Sequence, residues 1–125
     1  MAGEKILIVD DEVDLVETLS FRLEAAGYKA LAAHDGLEGL NKARAEKPDL
    51  IILDVMMPKM DGYQVCRLLK FDQKLKTTPI IMLTARGQEQ DKQTGNQVGA
   101  DAYMTKPFDS KQLLTKVEEL LKNKK

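Results

Sequence analysis

Between Asp49 and Gly62 the chain reads Asp-Leu-Ile-Ile-Leu-Asp-Val-Met-Met-Pro-Lys-Met-Asp-Gly, and no other stretch constrains the fold as much. Leu50 to Leu53 is too short and too β-prone for a helix, and it is apolar at every position rather than at alternate ones. A run of that kind is a strand covered on both faces, as in the interior of a parallel sheet. Asp54 stands where the strand runs out, and open α/β sheets bind ligands at the carboxyl ends of their strands. Pro58, Asp61 and Gly62 then supply turn chemistry and a helix start.

The same pattern recurs along the chain. Lys5 to Val9 is a β-branched apolar run ending directly in Asp10-Asp11-Glu12. From Glu12 to Ala26, Val16, Leu19, Leu23 and Ala26 form an amphipathic helical stripe that Gly27 closes. Tyr28 to Ala33 predicts a short second strand, and Asp35-Gly36 leads into a helix with Leu37, Leu40 and Ala43 on one side, stopped by Pro48. After the central strand a helix is expected from Gly62 to Phe71, carrying Val65, Leu68 and Leu69. Ile80 to Leu83 is a fourth strand, ending in Thr84-Ala85-Arg86-Gly87. Gln88 to Val98 is polar, with Gly95 and Asn96 inside it, so a helix there is weak and loosely packed. Gly99 to Thr105 gives a turn and a fifth strand ending at Lys106-Pro107-Phe108. Asp109 or Ser110 caps a last helix, whose Leu113, Leu114, Val117, Leu120 and Leu121 make the cleanest stripe in the chain. Strands alternating with helices over the whole length imply a doubly wound α/β domain, five parallel strands with five helices on both faces.

Composition narrows the classes of function. The 125 residues make one domain, 1–125, with frayed ends at 1–4 and 122–125. Nineteen basic and 20 acidic residues leave a net charge of −1, which gives no electrostatic drive towards nucleic acid or membrane. Cys66 is the only cysteine, so no intramolecular disulfide forms, as suits a reducing cytoplasm; it reads as a small buried hydrophobe on a helix. No apolar run approaches the ~20 residues of a membrane span, and the N-terminus has no apolar signal core.

If the strands are parallel, Asp10, Asp11, Asp54, Thr84 and Lys106 converge on one edge of the sheet. Carboxylates crowded in a half-dry crevice repel unless a cation joins them. A hard divalent ion held by one or two carboxylates, a carbonyl and waters is the behaviour of Mg²⁺, with Mn²⁺ as the alternative. Such an ion also holds phosphate oxygens, which makes Asp54 a candidate nucleophile for a phosphoryl group, with Lys106 and Thr84 stabilising the transferred oxygens.

This ordered set resembles the receiver domain of two-component response regulators over essentially the whole chain: Asp10-Asp11, Asp54 followed by Pro58 and Gly62, Thr84-Ala85, Gly99-Ala100-Asp101, and Lys106-Pro107-Phe108. The resemblance implies a flavodoxin-like sheet of strand order 2-1-3-4-5. It implies a phosphorylation-activated switch of a phosphorelay, not an enzyme turning over an external metabolite. Asp54 would accept phosphate from a phosphohistidine of a sensor histidine kinase or a phosphotransfer protein. Asp11, Asp54 and the backbone carbonyl of Met56 would bind Mg²⁺, with Asp10 acting through water. Lys106 would pair with the phosphoryl oxygens next to a cis Lys106–Pro107 bond. Thr84 would swing towards the phosphate and Tyr103 would follow it inward. The surface of the fourth helix, fifth strand and fifth helix would then engage a downstream protein or output domain. The domain would act in the cytoplasm as a monomer or a phosphorylation-dependent dimer. Two departures stand out: Ala102, where relatives carry a second acidic residue, and the glycine-bearing polar fourth helix, which is expected to be mobile and to become ordered on phosphorylation.

Blander readings stand beside these. Asp11 alone reads as a helix N-cap with Asp10 a solvated neighbour, Asp54 as a turn residue, Thr84 as a strand end, Lys106 as a surface lysine and Tyr103 as core. Met56, Met57 and Met60 pack or line a surface, and Met56 and Arg86 stand where relatives tune hydrolysis of the phosphate. His34 is a surface loop residue. A degenerate receiver serving only as an interaction module is one competing function. An aspartyl-phosphate phosphatase is another, but it wants a second Asp where this chain has Met56. No Gly-x-Gly-x-x-Gly follows the first strand, which disfavours dinucleotide binding. The chain reads either as a single-domain regulator or as the receiver of a longer protein.

Overall fold

The computed structural model describes residues 3–57, 60–85 and 99–123. Its elements run β1 (Lys5–Val9), α1 (Val13–Ala25), β2 (Lys29–Ala33), α2 (Gly36–Glu46), β3 (Leu50–Asp54), α3 (Gly62–Phe71), β4 (Ile80–Ala85), β5 (Ala102–Lys106) and α4 (Ser110–Asn123). The strands form one parallel sheet of order β2-β1-β3-β4-β5, as expected. The expected polar helix at Gln88 to Val98, with its expected mobility, lies outside the described residues, as do Pro58 and Arg86.

Two apolar layers sandwich the sheet. On one face Leu7, Val9, Ile51, Leu53, Ile80 and Met82 meet Leu40 and Ala43 of α2 and Val65, Cys66 and Leu69 of α3. On the other, Ile6, Ile8, Leu50, Ile52, Ile81 and Leu83 meet Val16, Leu19 and Leu23 of α1 and Leu113 and Val117 of α4. Alternate residues of one strand therefore feed opposite cores, and that is why β1, β3 and β4 carry unbroken apolar runs. Every residue of β3 is buried.

Three apolar residues depart from the faces expected of them: Ala26, Leu37 and Leu68. Ala26 is the exposed C-cap of α1, beyond the buried stripe of Val16, Leu19 and Leu23. Leu37 is 52% exposed, because α2 turns its small side, Gly36 and Gly39 with Leu40 and Ala43, to the sheet. A Cβ at Gly39 would run into the Val9 side chain, so the helix sits close and Leu37 falls on the flank. In α3 the inward positions are Val65, Cys66 and Leu69, which leaves Leu68 exposed.

Caps and turns fix the rest. Asp35 Oδ1 accepts from the Glu38 N–H (2.8 Å) at the start of α2, and Asp61 and Gln64 form a reciprocal capping box on α3. Lys47, in the left-handed region at φ 49°, ends α2 just before Pro48. Asp109 Oδ1 accepts from the Lys111 N–H (2.8 Å) at the head of α4. At the amino end of the sheet, Lys70 Nζ donates to the Thr78 carbonyl (2.9 Å) and to Asp101 Oδ2 (3.2 Å), and Asp101 also accepts from the Ile80 N–H (2.8 Å). This clamp ties α3 to the starts of β4 and β5. No helix among the described residues is long and apolar enough to cross a membrane.

Candidate functional site

The carboxyl edge of the sheet is assembled from the ends of β1, β3, β4 and β5. Asp10 follows β1 and is held by the ladder itself, its N–H donating to the Ala33 carbonyl (3.0 Å). Its side chain is wholly buried, and Oδ1 accepts from the Glu12 N–H (2.9 Å). Asp54 is the last residue of β3, 4% exposed, and its Oδ1 accepts from the Met56 N–H (3.3 Å). Asp11 is exposed beside them. Asp10, Asp11 and Asp54 each offer a carboxylate oxygen, and the three atoms lie within 4.8 Å of one another.

The bland reading of this acidic turn is overturned. The N-cap of α1 is Glu12, not Asp11, and Asp10 is buried, not solvated.

Lys106, the last residue of β5, reaches across this edge. Its Nζ lies 2.8 Å from Glu12 Oε1, 2.9 Å from Asp10 Oδ2 and 3.4 Å from Asp54 Oδ1. The Asp10 contact is an ion pair without hydrogen-bond geometry, so Oδ2 is a buried oxygen with no hydrogen bond. The Lys106–Pro107 peptide bond is cis. Burial pulls the ammonium's pKa down, but the hydrogen bond to Glu12, the close ion pair with Asp10 and the charge of Asp54 outweigh it and hold Lys106 above its ordinary value. Burial and then the charge of Asp10 push Asp54 from 3.8 up to about 6, against the pull of Lys106.

Thr84 is buried in β4, one residue past Leu83, the register partner of Asp54, and it pairs with Thr105 of β5. Tyr103 is half-buried and packs against the core on the α2–α3 side, and that burial raises its hydroxyl's pKa. Met56 is exposed at the mouth of the site. His34 is exposed, and its backbone N–H donates to Glu38 Oε1 (2.8 Å). The residue that sequence reasoning passed over is Glu12. Its place in the run Asp10-Asp11-Glu12 was visible, but its reach to a lysine 94 positions away was not.

Chemically, one ammonium faces four carboxylates, Asp10, Asp11, Glu12 and Asp54. The imbalance, the clustered oxygens and the orphaned Asp10 Oδ2 fit a hard divalent cation with oxygen ligands.

Comparison with known proteins agrees with this geometry. The family model for the response regulator receiver domain matches residues 6–118. The chain is 51% identical over 120 residues to the alkaline phosphatase synthesis transcriptional regulatory protein PhoP of Bacillus subtilis, covering 96% of this chain and 49% of that protein. It thus spans about half the length of the curated relatives it matches. A crystal structure of a putative response regulator from Chloroflexus aurantiacus superposes with a TM-score of 0.92 at 37% identity, covering 97% of this chain and 99% of that one. The receiver domain of the sensor histidine kinase PA1611 from Pseudomonas aeruginosa, with a magnesium ion coordinated in its active site cleft, matches with a TM-score of 0.89 at 28% identity, over 98% of this chain and 100% of that one.

Proposed function

Because the chain belongs to the response regulator receiver domains, which are signalling domains rather than classical enzymes, we propose that it is a phosphorylation-activated switch with Asp54 as phosphoacceptor. The observation that carries the reading is Lys106 Nζ standing 3.4 Å from Asp54 Oδ1 in a cluster of three carboxylates that lie within 4.8 Å. An Asp54 oxygen attacks the phosphorus of a phosphohistidine on a histidine kinase or phosphotransfer protein. The P–O bond forms as the P–N bond breaks, and the imidazole leaves with the electron pair. Lys106, which leaves the end of β5 and already stands in the cluster, supplies positive charge for the phosphoryl oxygens. Asp11, Asp54 and the carbonyl of Met56 would hold Mg²⁺, with Asp10 bonding through water. When bound, the ion neutralises the carboxylates and the arriving phosphoryl oxygens. The magnesium in the PA1611 receiver supports that assignment.

After transfer, the Thr84 hydroxyl turns to the phosphoryl group and Tyr103 moves into the space behind it. The surface of β5 and α4 then presents a changed face to a partner protein or output domain, in the cytoplasm. The test is intact mass after incubation with acetyl phosphate, with and without Mg²⁺, for the wild type and Asp54→Asn. A single Mg²⁺-dependent, acid-stable and base-labile phosphate that is absent from the variant is the expected result. No adduct, from acetyl phosphate or from a phosphorylated histidine kinase, would make the chain an interaction module on a receiver fold.

A further inference from the structure

Lys106 is engaged by a carboxylate that neither the metal nor the phosphoryl group requires. Glu12 occupies the N-cap of α1, where a side chain ordinarily accepts a helix N–H, yet it makes no such bond. Its Oε1 instead accepts a hydrogen bond from Lys106 Nζ at 2.8 Å, closer than the 3.4 Å that separates Lys106 from Asp54. The three acidic partners of the ammonium among the described residues differ in exposure. The side chains of Asp10 and Asp54 are 0% and 6% exposed, whereas that of Glu12 is 59% exposed. Water replaces Lys106 on Glu12 at little cost, and on the buried pair it does not.

We propose that Glu12 is a displaceable placeholder for the phosphoryl group, holding Lys106 while Asp54 is unmodified and competing with the arriving phosphoryl oxygens for the same ammonium. This inference rests on the phosphoacceptor reading above and adds a positioning residue to it. Glu12 acts through Lys106 and bonds neither the phosphoryl group nor Asp54. An incoming phosphoryl group must break the Glu12 contact before it gains the lysine, so Glu12 weakens phosphoryl binding in proportion to the strength of that contact.

The experiment titrates wild type, Glu12→Ala and Glu12→Asp with trifluoroberyllate, a phosphoryl mimic, at saturating Mg²⁺, following backbone amide spectra. Glu12→Asp keeps the charge but is too short to reach Lys106, and it favours the vacant helix cap. Both variants are expected to bind the mimic about three- to tenfold more tightly than wild type, the range of one partly exposed charged contact. Affinities equal to wild type overturn the proposal, and so does a gain in Glu12→Ala alone, which would be the relief of general repulsion. A second readout needs neither metal nor mimic. In the metal-free protein the ¹⁵N-ammonium signal of Lys106, slowed in exchange by the Glu12 bond as well as by the buried pair, should weaken through faster exchange in both variants, and an exchange rate equal to wild type would overturn the placeholder. If the wild type itself binds no trifluoroberyllate and takes no phosphate on Asp54, the phosphoacceptor reading fails and this inference falls with it. Wild-type binding that is indifferent to Glu12 removes the inference alone.

Discussion

Burial strips water from the Asp54 carboxylate and Asp10 adds a like charge beside it, and together they lift its pKa from 3.8 to about 6. For a carboxyl raised on folding, the neutral form is the one the fold prefers. Its stabilising contribution is complete below the ordinary value and lost as pH rises through about 6. An Asn at that position is neutral at every pH and escapes the loss. In chelator-treated buffer at pH 7, Asp54→Asn should therefore be more stable than wild type by on the order of 2 kcal/mol in urea unfolding, with the difference closing near pH 4. A variant less stable than wild type at pH 7 would show that Asp54 is held more strongly by Lys106 than it is repelled by Asp10. Cys66 follows the same sign at higher pH. Burial lifts its thiol from 9.0 to about 11, Lys70 pulling it down and Asp101 pushing it up. Stability from the neutral thiol is thus in place below pH 9 and lost towards pH 11. At pH 8 the native thiol should react with iodoacetamide at least roughly 100-fold more slowly than in urea, because a pKa raised from 9.0 to about 11 leaves that much less thiolate, before burial hinders access further. Comparable rates would place Cys66 at the surface.

At the scale of elements, most of what positions the site was legible in the sequence. The runs Ile6 to Val9, Leu50 to Leu53 and Ile80 to Leu83 are strands because each residue is apolar, and each is apolar because both faces of the sheet are covered. The convergence of Asp10, Asp11, Asp54 and Lys106 followed from their places at strand ends. The strand order did not, since spacing along a chain says nothing about which way each crossover runs, and only the family resemblance supplied it. Helix faces were legible only where the apolar stripe was unambiguous. Leu37 and Leu68 went astray because glycines in α2 and Cys66 in α3 do the packing. The contact of Glu12 with Lys106 and the close seat of α3 were beyond reading, since both depend on how elements meet in space. At that seat the Gly62 N–H donates to the Val55 carbonyl (3.0 Å), and a Cβ on Gly62 would strike the Asp54 carbonyl and come within 2.9 Å of Val55 Cα. Backbone cannot swing aside as a side chain does, so Gly62→Ala must push α3 off the end of β3 and shift Asp54 with it. The expected cost is about 1–3 kcal/mol in urea unfolding, together with slower Mg²⁺-dependent phosphorylation. Unchanged stability and phosphorylation would mean that α3 moves freely over the sheet.

At the scale of the whole molecule, the site joins strands from the middle and the edge of the sheet. Asp10 and Asp11 leave β1, Asp54 ends β3 and Lys106 ends β5, with β4 between the last two. The folded chain holds this unbalanced acidic cluster together against repulsion, whereas the unfolded chain lets the carboxylates drift apart into water. A divalent cation that needs all of them at once therefore binds the folded state alone, and its binding free energy adds to the stability of the whole sheet. At a Mg²⁺ concentration of about ten times its dissociation constant the gain is about 1.4 kcal/mol, equivalent to roughly 5 °C in Tm for a domain of this size. Thermal unfolding followed by circular dichroism, at constant ionic strength, should show the wild-type Tm climbing with the logarithm of Mg²⁺ concentration above its dissociation constant. Asp11→Ala and Asp54→Asn should climb much less, although Asp54→Asn starts higher because it has already lost the repulsion that the cation relieves. A Tm indifferent to Mg²⁺ in the wild type, or equal gains in all three proteins, would separate the acidic cluster from metal binding. The order of the curves also carries information. If the wild type at about ten times the dissociation constant of Mg²⁺ still lies below metal-free Asp54→Asn, the cation has offset only part of the charge conflict between Asp10 and Asp54.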